Sequence, residues 1–313
     1  MNRETSLLQL LLARGFGAKS IGRLLKRLSN EQRPIEDFVC SSAGEIVQKY
    51  GVKPDIAQSI SDAKDSAQEL SDRLYENEVQ LIDIAHDLYP ENLIKSLNDN
   101  APPLLFTKGN ISLLEKKAVG FCGSRRSSER GIEIAQECAK ILSQYDINIV
   151  SGYAFGVDVA THSAALEAGG ATTFVLADGI FKFSVKSVIQ EYLDDDNYLI
   201  ISEFPPELPW TSHNAMLRNS TICGLSDAVI LIESGLDGGT FAAGKKALEL
   251  QKPLFVVDYS KPPETAQGNE YFLKRGAYPL KISESGIPDL QKVTEVMDKK
   301  QNHSTLSLFS QSN

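Results

Sequence analysis

Four short segments carry the residue types that handle anions. The first reads Gly123-Ser124-Arg125-Arg126-Ser127-Ser128. A glycine at a strand end lets a ligand reach the backbone. Ser127 or Ser128 can cap the helix that follows, whose amino end favours an anion. Arg125 adds a planar charge suited to phosphate. A tight turn with a capped helix and solvated arginines accounts for the same residues. The second segment runs Ser151-Gly152-Tyr153-Ala154-Phe155-Gly156-Val157-Asp158. Its glycines lack the G-x-G-x-x-G spacing of dinucleotide sites, so no nicotinamide or flavin is expected. Asp158 suits a ribose hydroxyl or a helix cap, and His162 suits a packed helix. No serine–histidine–aspartate arrangement follows from spacing.

The third segment starts at Ser202-Glu203-Phe204-Pro205-Pro206 and leads to a helix opening with His213 and Asn214 and containing Arg218, Asn219 and Ser220. The fourth, Asp237-Gly238-Gly239-Thr240, suits backbone amides around an anion. Together the four hold small residues, amides and arginines without an acid–base pair. Such a rim holds phosphate without needing to do chemistry on it, and no catalytic residue, cofactor or metal is expected. Phe155, Phe181, Phe183 and Trp210 lie near the same rim, as stacking faces for bases or as packing aromatics.

The elements needed to bring these segments together are legible in the apolar pattern. From about 117 onward, apolar strands alternate with helices. Strands are expected at 117–122, 147–150, 172–177, 198–201, 227–233 and 253–257, the last of these final. Helices are expected at 129–144, 157–167 and 241–250. This is an α/β, Rossmann-like, doubly wound and mostly parallel sheet, whose ligands sit beyond the carboxyl ends of its strands. Residues 1–80 read as helical, with Leu7, Leu8, Leu11 and Leu12 and then Ile21, Leu24, Leu25 and Leu28 at helix spacing. Between these runs lies a glycine turn, Arg14-Gly15-Phe16-Gly17, with Ser20 as a candidate cap. The turn fits a helix-hairpin-helix unit or a plain bundle. Residues 81–115 read as a connector, 116–285 as the core and 286–313 as a polar tail.

The chain has 313 residues, 42% of them hydrophobic, and a formal net charge of −9. The length suits about two domains of roughly 150 residues. That charge argues against indiscriminate binding to nucleic acid or anionic membrane, but leaves room for a local basic groove. No apolar run reaches the roughly 18 residues of a membrane helix. The leucine-rich start is broken by Gln9 and followed by Arg14, and reads as a helix of the mature protein rather than a signal peptide. Four cysteines, Cys40, Cys122, Cys138 and Cys223, stand outside any C-x-x-C pair. They fit a reducing cytoplasm rather than a zinc site.

Taken in order, the motifs resemble the DNA-processing protein A family (DprA, also called Smf). They are Gly123-Ser-Arg-Arg-Ser-Ser, Ser151-Gly-Tyr-Ala-Phe-Gly-Val-Asp with His162, Ile201-Ser-Glu-Phe-Pro, Leu217-Arg-Asn with Gly224-Leu225-Ser226, and Gly268-Asn269 with Gly276-Ala277. Pro102-Pro103-Leu104-Leu105-Phe106 resembles the family's lead-in. The amino-terminal helices resemble the sterile-alpha-motif-like or helix-hairpin-helix domain that often precedes this core. The resemblance implies a non-catalytic protein that binds single-stranded DNA, protects it during natural transformation, helps load a RecA-type recombinase and forms a homodimer. It places phosphate on Gly123, Ser124, Arg125, Ser128, Ser151, Gly152 and Gly156, with Arg218 and Asn219 facing the same groove. Gly238, Gly239 and Thr240 are added from the residue reading above. The chain departs from the family at Ser220, where a second arginine is usual, and at Gly179-Ile180-Phe181-Lys182-Phe183, where Tyr-Pro is usual. Asp237–Thr240 replaces a serine-glycine-serine loop. A use in phage defence is one alternative, and a scaffold whose groove binds nothing is another. A third is an enzyme similar to nucleoside-monophosphate phosphoribohydrolases. Those need a carboxylate three residues after the threonine, where this chain has Ala243.

Overall fold

The structure is a computed structural model and describes residues 2–298. It opens with six helices, α1 (Arg3–Leu12), α2 (Ala18–Asn30), α3 (Ile35–Val39), α4 (Ala43–Tyr50), α5 (Pro54–Asp62) and α6 (Lys64–Glu76). The leucines of α1 and α2 face inward as their spacing requires, except that Leu12 is exposed. The cap of α2 is Gly17, not Ser20, because the chain enters the helix immediately after Phe16 plugs the turn with its buried ring.

The remainder builds a nine-stranded sheet in the order β1-β2-β6-β5-β4-β3-β7-β8-β9. Its elements are β1 (Gln80–Asp83), α7 (Glu91–Leu97), β2 (Leu104–Gly109), β3 (Ala118–Cys122), α8 (Glu129–Ser143), β4 (Asn148–Ser151), α9 (Val157–Glu167), β5 (Thr172–Val175), α10 (Ser187–Gln190), β6 (Tyr198–Ser202), α11 (Ser212–Leu225), β7 (Ala228–Leu231), α12 (Gly238–Glu249), β8 (Leu254–Val257), α13 (Asn269–Leu273) and β9 (Tyr278–Leu280). From β6 to β9 all neighbours are parallel, and β2 and β1 extend the sheet by antiparallel pairing. Two expectations change here. The stretch read as a connector supplies β1 and β2, whose prolines fall outside the strands. The strand at β8 is followed by one more, β9, too short to stand out in sequence.

Strand alternation divides the core. Leu104 and Phe106 of β2, with Phe174 of β5, face the amino-terminal helices. Leu105 and Val175 face the opposite side, with α7 and α11. Helices α8 and α9 cover β3, β4 and β7 on the first side, and α12 and α13 cover β7 and β8 on the other. The helical unit is therefore packed on the sheet rather than tethered to it. Arg3 fixes this further, donating from Nε and Nη2 to the buried Asp83 at 2.7 and 2.8 Å. Within the stretch read as a polar tail, Leu290, Val293 and Met297 pack into the α8 side of the core. The remainder of that stretch, from 299, lies outside the described residues.

Candidate nucleic-acid interface

The carboxyl ends of β3, β4, β5 and β6 open into a cleft of about 320 Å³. Its walls come from the loops that leave these strands and from α11. Arg125 enters after β3, Tyr153 and Phe155 after β4, and Asp178, Lys182, Phe183 and Lys186 after β5. Trp210 precedes α11, and Arg218 rises from it.

Arg218 is the deepest cation. It is 7% exposed, and its Nη1 lies 3.9 Å from Asp158 Oδ2. Its Nε is buried without a hydrogen-bond partner. An unsatisfied charged donor costs about 1–3 kcal/mol or more, so this guanidinium lines the cleft with hydrogen-bonding capacity unused. Asp158 also takes the Ser151 hydroxyl at 3.0 Å and the Ala154 amide at 3.2 Å. Burial pushes its pKa up, against the pull of Arg218.

Gly152 makes room for this pair. A Cβ there would stand 1.7 Å from Arg218 Nη1 and 2.4 Å from Asp158 Oδ2. Gly152→Ala should therefore push the guanidinium out of its seat and cost about 1–3 kcal/mol of stability by overpacking. Single-strand affinity should fall with it. Urea melts and an oligonucleotide titration on the same preparation check both effects. Gly156 has a second reason to be glycine, with φ of +87° and the Ser124 carbonyl 2.6 Å from where a Cβ would sit.

Cations and rings alternate along the cleft. The Arg125 guanidinium carbon lies 5.1 Å from the Trp210 ring centre. Lys186 Nζ lies 3.3 Å from the Tyr153 ring centre and 5.2 Å from that of Phe155. The Lys186 ammonium donates to the Tyr153 carbonyl, and the Lys186 amide donates to the Tyr153 hydroxyl at 2.8 Å. Burial lowers the Lys186 pKa, while Asp158 and Asp178 raise it. Phe155 is 75% exposed and Trp210 48% exposed, so both present ring surface to solvent.

Of the residues singled out from sequence, Arg125, Phe155, Trp210 and Arg218 line the cleft together, and Gly152 and Gly156 shape its floor and rim. Others are engaged elsewhere. The buried Ser151 hydroxyl sits against the Phe121 carbonyl and Asp158. Ser128 caps α8 and gives both its amide and its hydroxyl to the Glu233 carboxylate. The anion expected at the amino end of α8 is thus supplied by the protein itself, which corrects the assignment of a phosphate to Ser128. Gly123 packs against Val157, and Ser124 donates its amide to the Glu233 carbonyl at 3.2 Å. Asn219 is buried and donates to the Gly239 carbonyl at 3.1 Å, tying α11 to α12. Gly238, Gly239 and Thr240 open α12 beyond β7 and do not line the cleft. The Phe181 ring is covered by Arg73 at 4.9 Å, and Phe183 takes the place in the cleft. Sequence reasoning passed over Tyr153, Asp178, Lys182 and Lys186. The signal for the lysines was the run Lys182-Phe183-Ser184-Val185-Lys186, basic and aromatic residues interleaved just past a strand.

His162 lies beneath the cleft, fully buried, with its ring nitrogens on the Thr172 hydroxyl and the Gly152 carbonyl. Burial pushes its pKa down to about 3. The folded protein therefore keeps it neutral where the unfolded chain takes a proton. Its contribution to stability is complete above the unfolded pKa of 6.5 and is lost as pH falls from there toward 3. Asp158, with its raised pKa, acts in the opposite sense. Between pH 7 and pH 5 the wild type should lose about 2 kcal/mol more stability than His162→Gln. Equal losses in urea melts would sink this account of the buried imidazole.

Known proteins share the sequence and fold of this chain over much of its length. The family model for DNA recombination-mediator protein A matches residues 80–291. DNA processing protein DprA of Streptococcus pneumoniae is 34% identical over 197 residues, covering 62% of this chain and 68% of that protein. Its X-ray structure superposes with a TM-score of 0.72 at 25% identity, over 90% of this chain and 95% of that one. DNA processing protein A of Helicobacter pylori, whose structure describes its single-stranded DNA binding mode, shares the fold. It superposes with a TM-score of 0.57 at 23% identity, over 72% of this chain and 97% of that one.

Proposed function

The chain belongs to the DNA recombination-mediator protein A family, and we propose that it binds single-stranded DNA in the cleft at the carboxyl ends of β3 to β6. The observation that carries this is Arg218, buried at the cleft floor with its Nε unpartnered. A phosphate oxygen completes that donor set with a charge-assisted hydrogen bond. Arg125, Lys182 and Lys186 line the same cleft and extend the positive field along a strand. Phe155 and Trp210 offer faces on which unpaired bases stack, each worth about 1–3 kcal/mol. The net charge of −9 does not oppose this, because the field at the cleft is set by these cations.

In this reading the protein works by binding, not turnover. It shields single strands and presents them to a RecA-type recombinase during DNA uptake or recombination, as a homodimer in the cytoplasm. Among the described residues no helix is long and apolar enough to cross a membrane. Ala243, where the phosphoribohydrolases need a carboxylate, is buried against the sheet. Steady release of base from AMP-type nucleotides would overturn the non-catalytic part of the reading.

The direct test is titration with single- and double-stranded oligonucleotides at two salt concentrations, with the oligomeric state measured in the same samples. Single strands should bind more tightly. Arg125→Ala should weaken single-strand binding about tenfold and make the log–log salt dependence shallower by roughly 0.7 for each phosphate no longer neutralised. An unchanged affinity and slope would remove Arg125 from the site.

A further inference from the structure

Phosphate binding leaves one group in the cleft without a use. Asp178, on the loop leaving β5, lines the cleft with Arg125, Phe155, Lys186, Trp210 and Arg218. A carboxylate there repels a polyanion; its own amide donates to it, and Arg218, Lys182 and Lys186 favour its charged form through space, with no ion pair among the described residues. Among the described residues, no other residue donates a hydrogen bond to its carboxylate. Its backbone is pinned, because the buried Ser202 hydroxyl donates to the Asp178 carbonyl at 2.6 Å. A half-buried acceptor with a fixed backbone, a carboxylate bonded only by its own amide and so with lone pairs to spare, and aromatic rings lining the same cleft suits the donor edge of a base.

We propose that Asp178 reads a base of the bound strand and selects guanine. This rests on the cleft being the single-strand site. The choice of base follows from the pattern of donors. Guanine presents N1–H and the N2 amine side by side, which matches the two oxygens of a carboxylate as a fork matches a fork. Cytosine and adenine each present one amine beside a ring nitrogen that repels the second oxygen. Thymine presents one N–H between two carbonyls. The rings of Phe155 and Trp210 supply the stacking, which is blind to base identity, and Asp178 supplies the discrimination.

The test uses the full chain and fluorescence anisotropy. The probes are a thymidine oligonucleotide, the same strand with one central guanosine, and the same strand with inosine at that position, which lacks the N2 amine. The guanosine strand should bind about tenfold more tightly than the inosine strand, and in Asp178→Asn the two should come within about twofold. Asp178→Asn should bind the thymidine strand at least as well as the wild type, since a repelling charge is gone. Equal wild-type affinity for the guanosine and inosine strands, with the thymidine strand still bound, overturns the assignment of Asp178 and leaves the cleft as the binding site. Asp178→Asn that tightens every strand by one factor and keeps the guanosine preference overturns it too, because Asp178 then only damps the field. Failure of the wild type to bind any strand overturns the single-strand reading itself.

Discussion

Arg218→Ala is expected to weaken single-strand binding about a hundredfold, the loss that follows from deleting a buried charge-assisted hydrogen bond of about 2.7 kcal/mol. The size of the effect comes from where the guanidinium sits. An exposed arginine on a phosphate is screened and replaceable, and Arg125 belongs to that class. Arg218 is held by α11 at the cleft floor, with Nε already stripped of water and unpartnered, so the desolvation cost has been met in the folding of the free protein. The same substitution removes the only cation in an ion pair with Asp158 among the described residues. Breaking a buried pair commonly costs about 3–5 kcal/mol. Here the separation is 3.9 Å, and Asp158 keeps its bonds from Ser151 and Ala154. About 2 kcal/mol is therefore the expected loss of stability, the middle of the range for a group left unpaired. Stability and binding can be separated. Asp158→Asn added to Arg218→Ala removes the stranded charge and should recover most of the melting temperature, with no recovery of DNA affinity. A double variant that regained both would mean that Arg218 acts only by holding the fold.

The geometry explains which parts of this site were legible in the sequence. The sheet was legible because its strands are buried on both faces and read as short apolar runs between helices. The loops at their carboxyl ends could be placed on one rim from topology alone. Arg125 was legible as an arginine just past a strand end, and Arg218, in the middle of α11, through the Leu217-Arg218-Asn219 motif. The partners that decide what a serine or asparagine does were not legible. Ser128 looks like a phosphate ligand until Glu233, far along the chain, is seen to occupy its amide and hydroxyl. Asn219 follows Arg218 directly, yet the helix turns it toward Gly239 rather than the cleft. Phe181 and Phe183 lie two residues apart in a short helical turn and its exit, and only the second faces the cleft, because Arg73 of the amino-terminal helices covers the first. β1 and β9 escaped notice because they are short edge strands, and β2 because it directly follows Pro102-Pro103.

Glu233→Ala is expected to lower stability by about 4 kcal/mol and the melting temperature by about 10 °C. Glu233 is fully buried just beyond β7, yet its carboxylate is saturated. It accepts from the Ser128 amide at 2.8 Å and from the Ser128 hydroxyl. It also accepts from the Tyr259 hydroxyl at 3.0 Å and the Thr265 hydroxyl at 2.6 Å. Truncation leaves these part-buried donors without their acceptor and removes the negative charge from the amino end of α8, where the helix dipole favours it. Glu233→Gln keeps the shape but turns an amine toward groups that are themselves donors, so it should recover only part of the loss. The binding consequence is indirect. The Ser124–Ser128 loop that carries Arg125 is pinned by Glu233 at both ends, through its carbonyl to the Ser124 amide and its carboxylate to Ser128. Loosening it should cost single-strand affinity about as much as Arg125→Ala, and no more, because Arg218 is anchored elsewhere. A melting temperature unchanged by Glu233→Ala would show that α8 does not depend on this internal anion. The end of α8 would then again be free to take a phosphate.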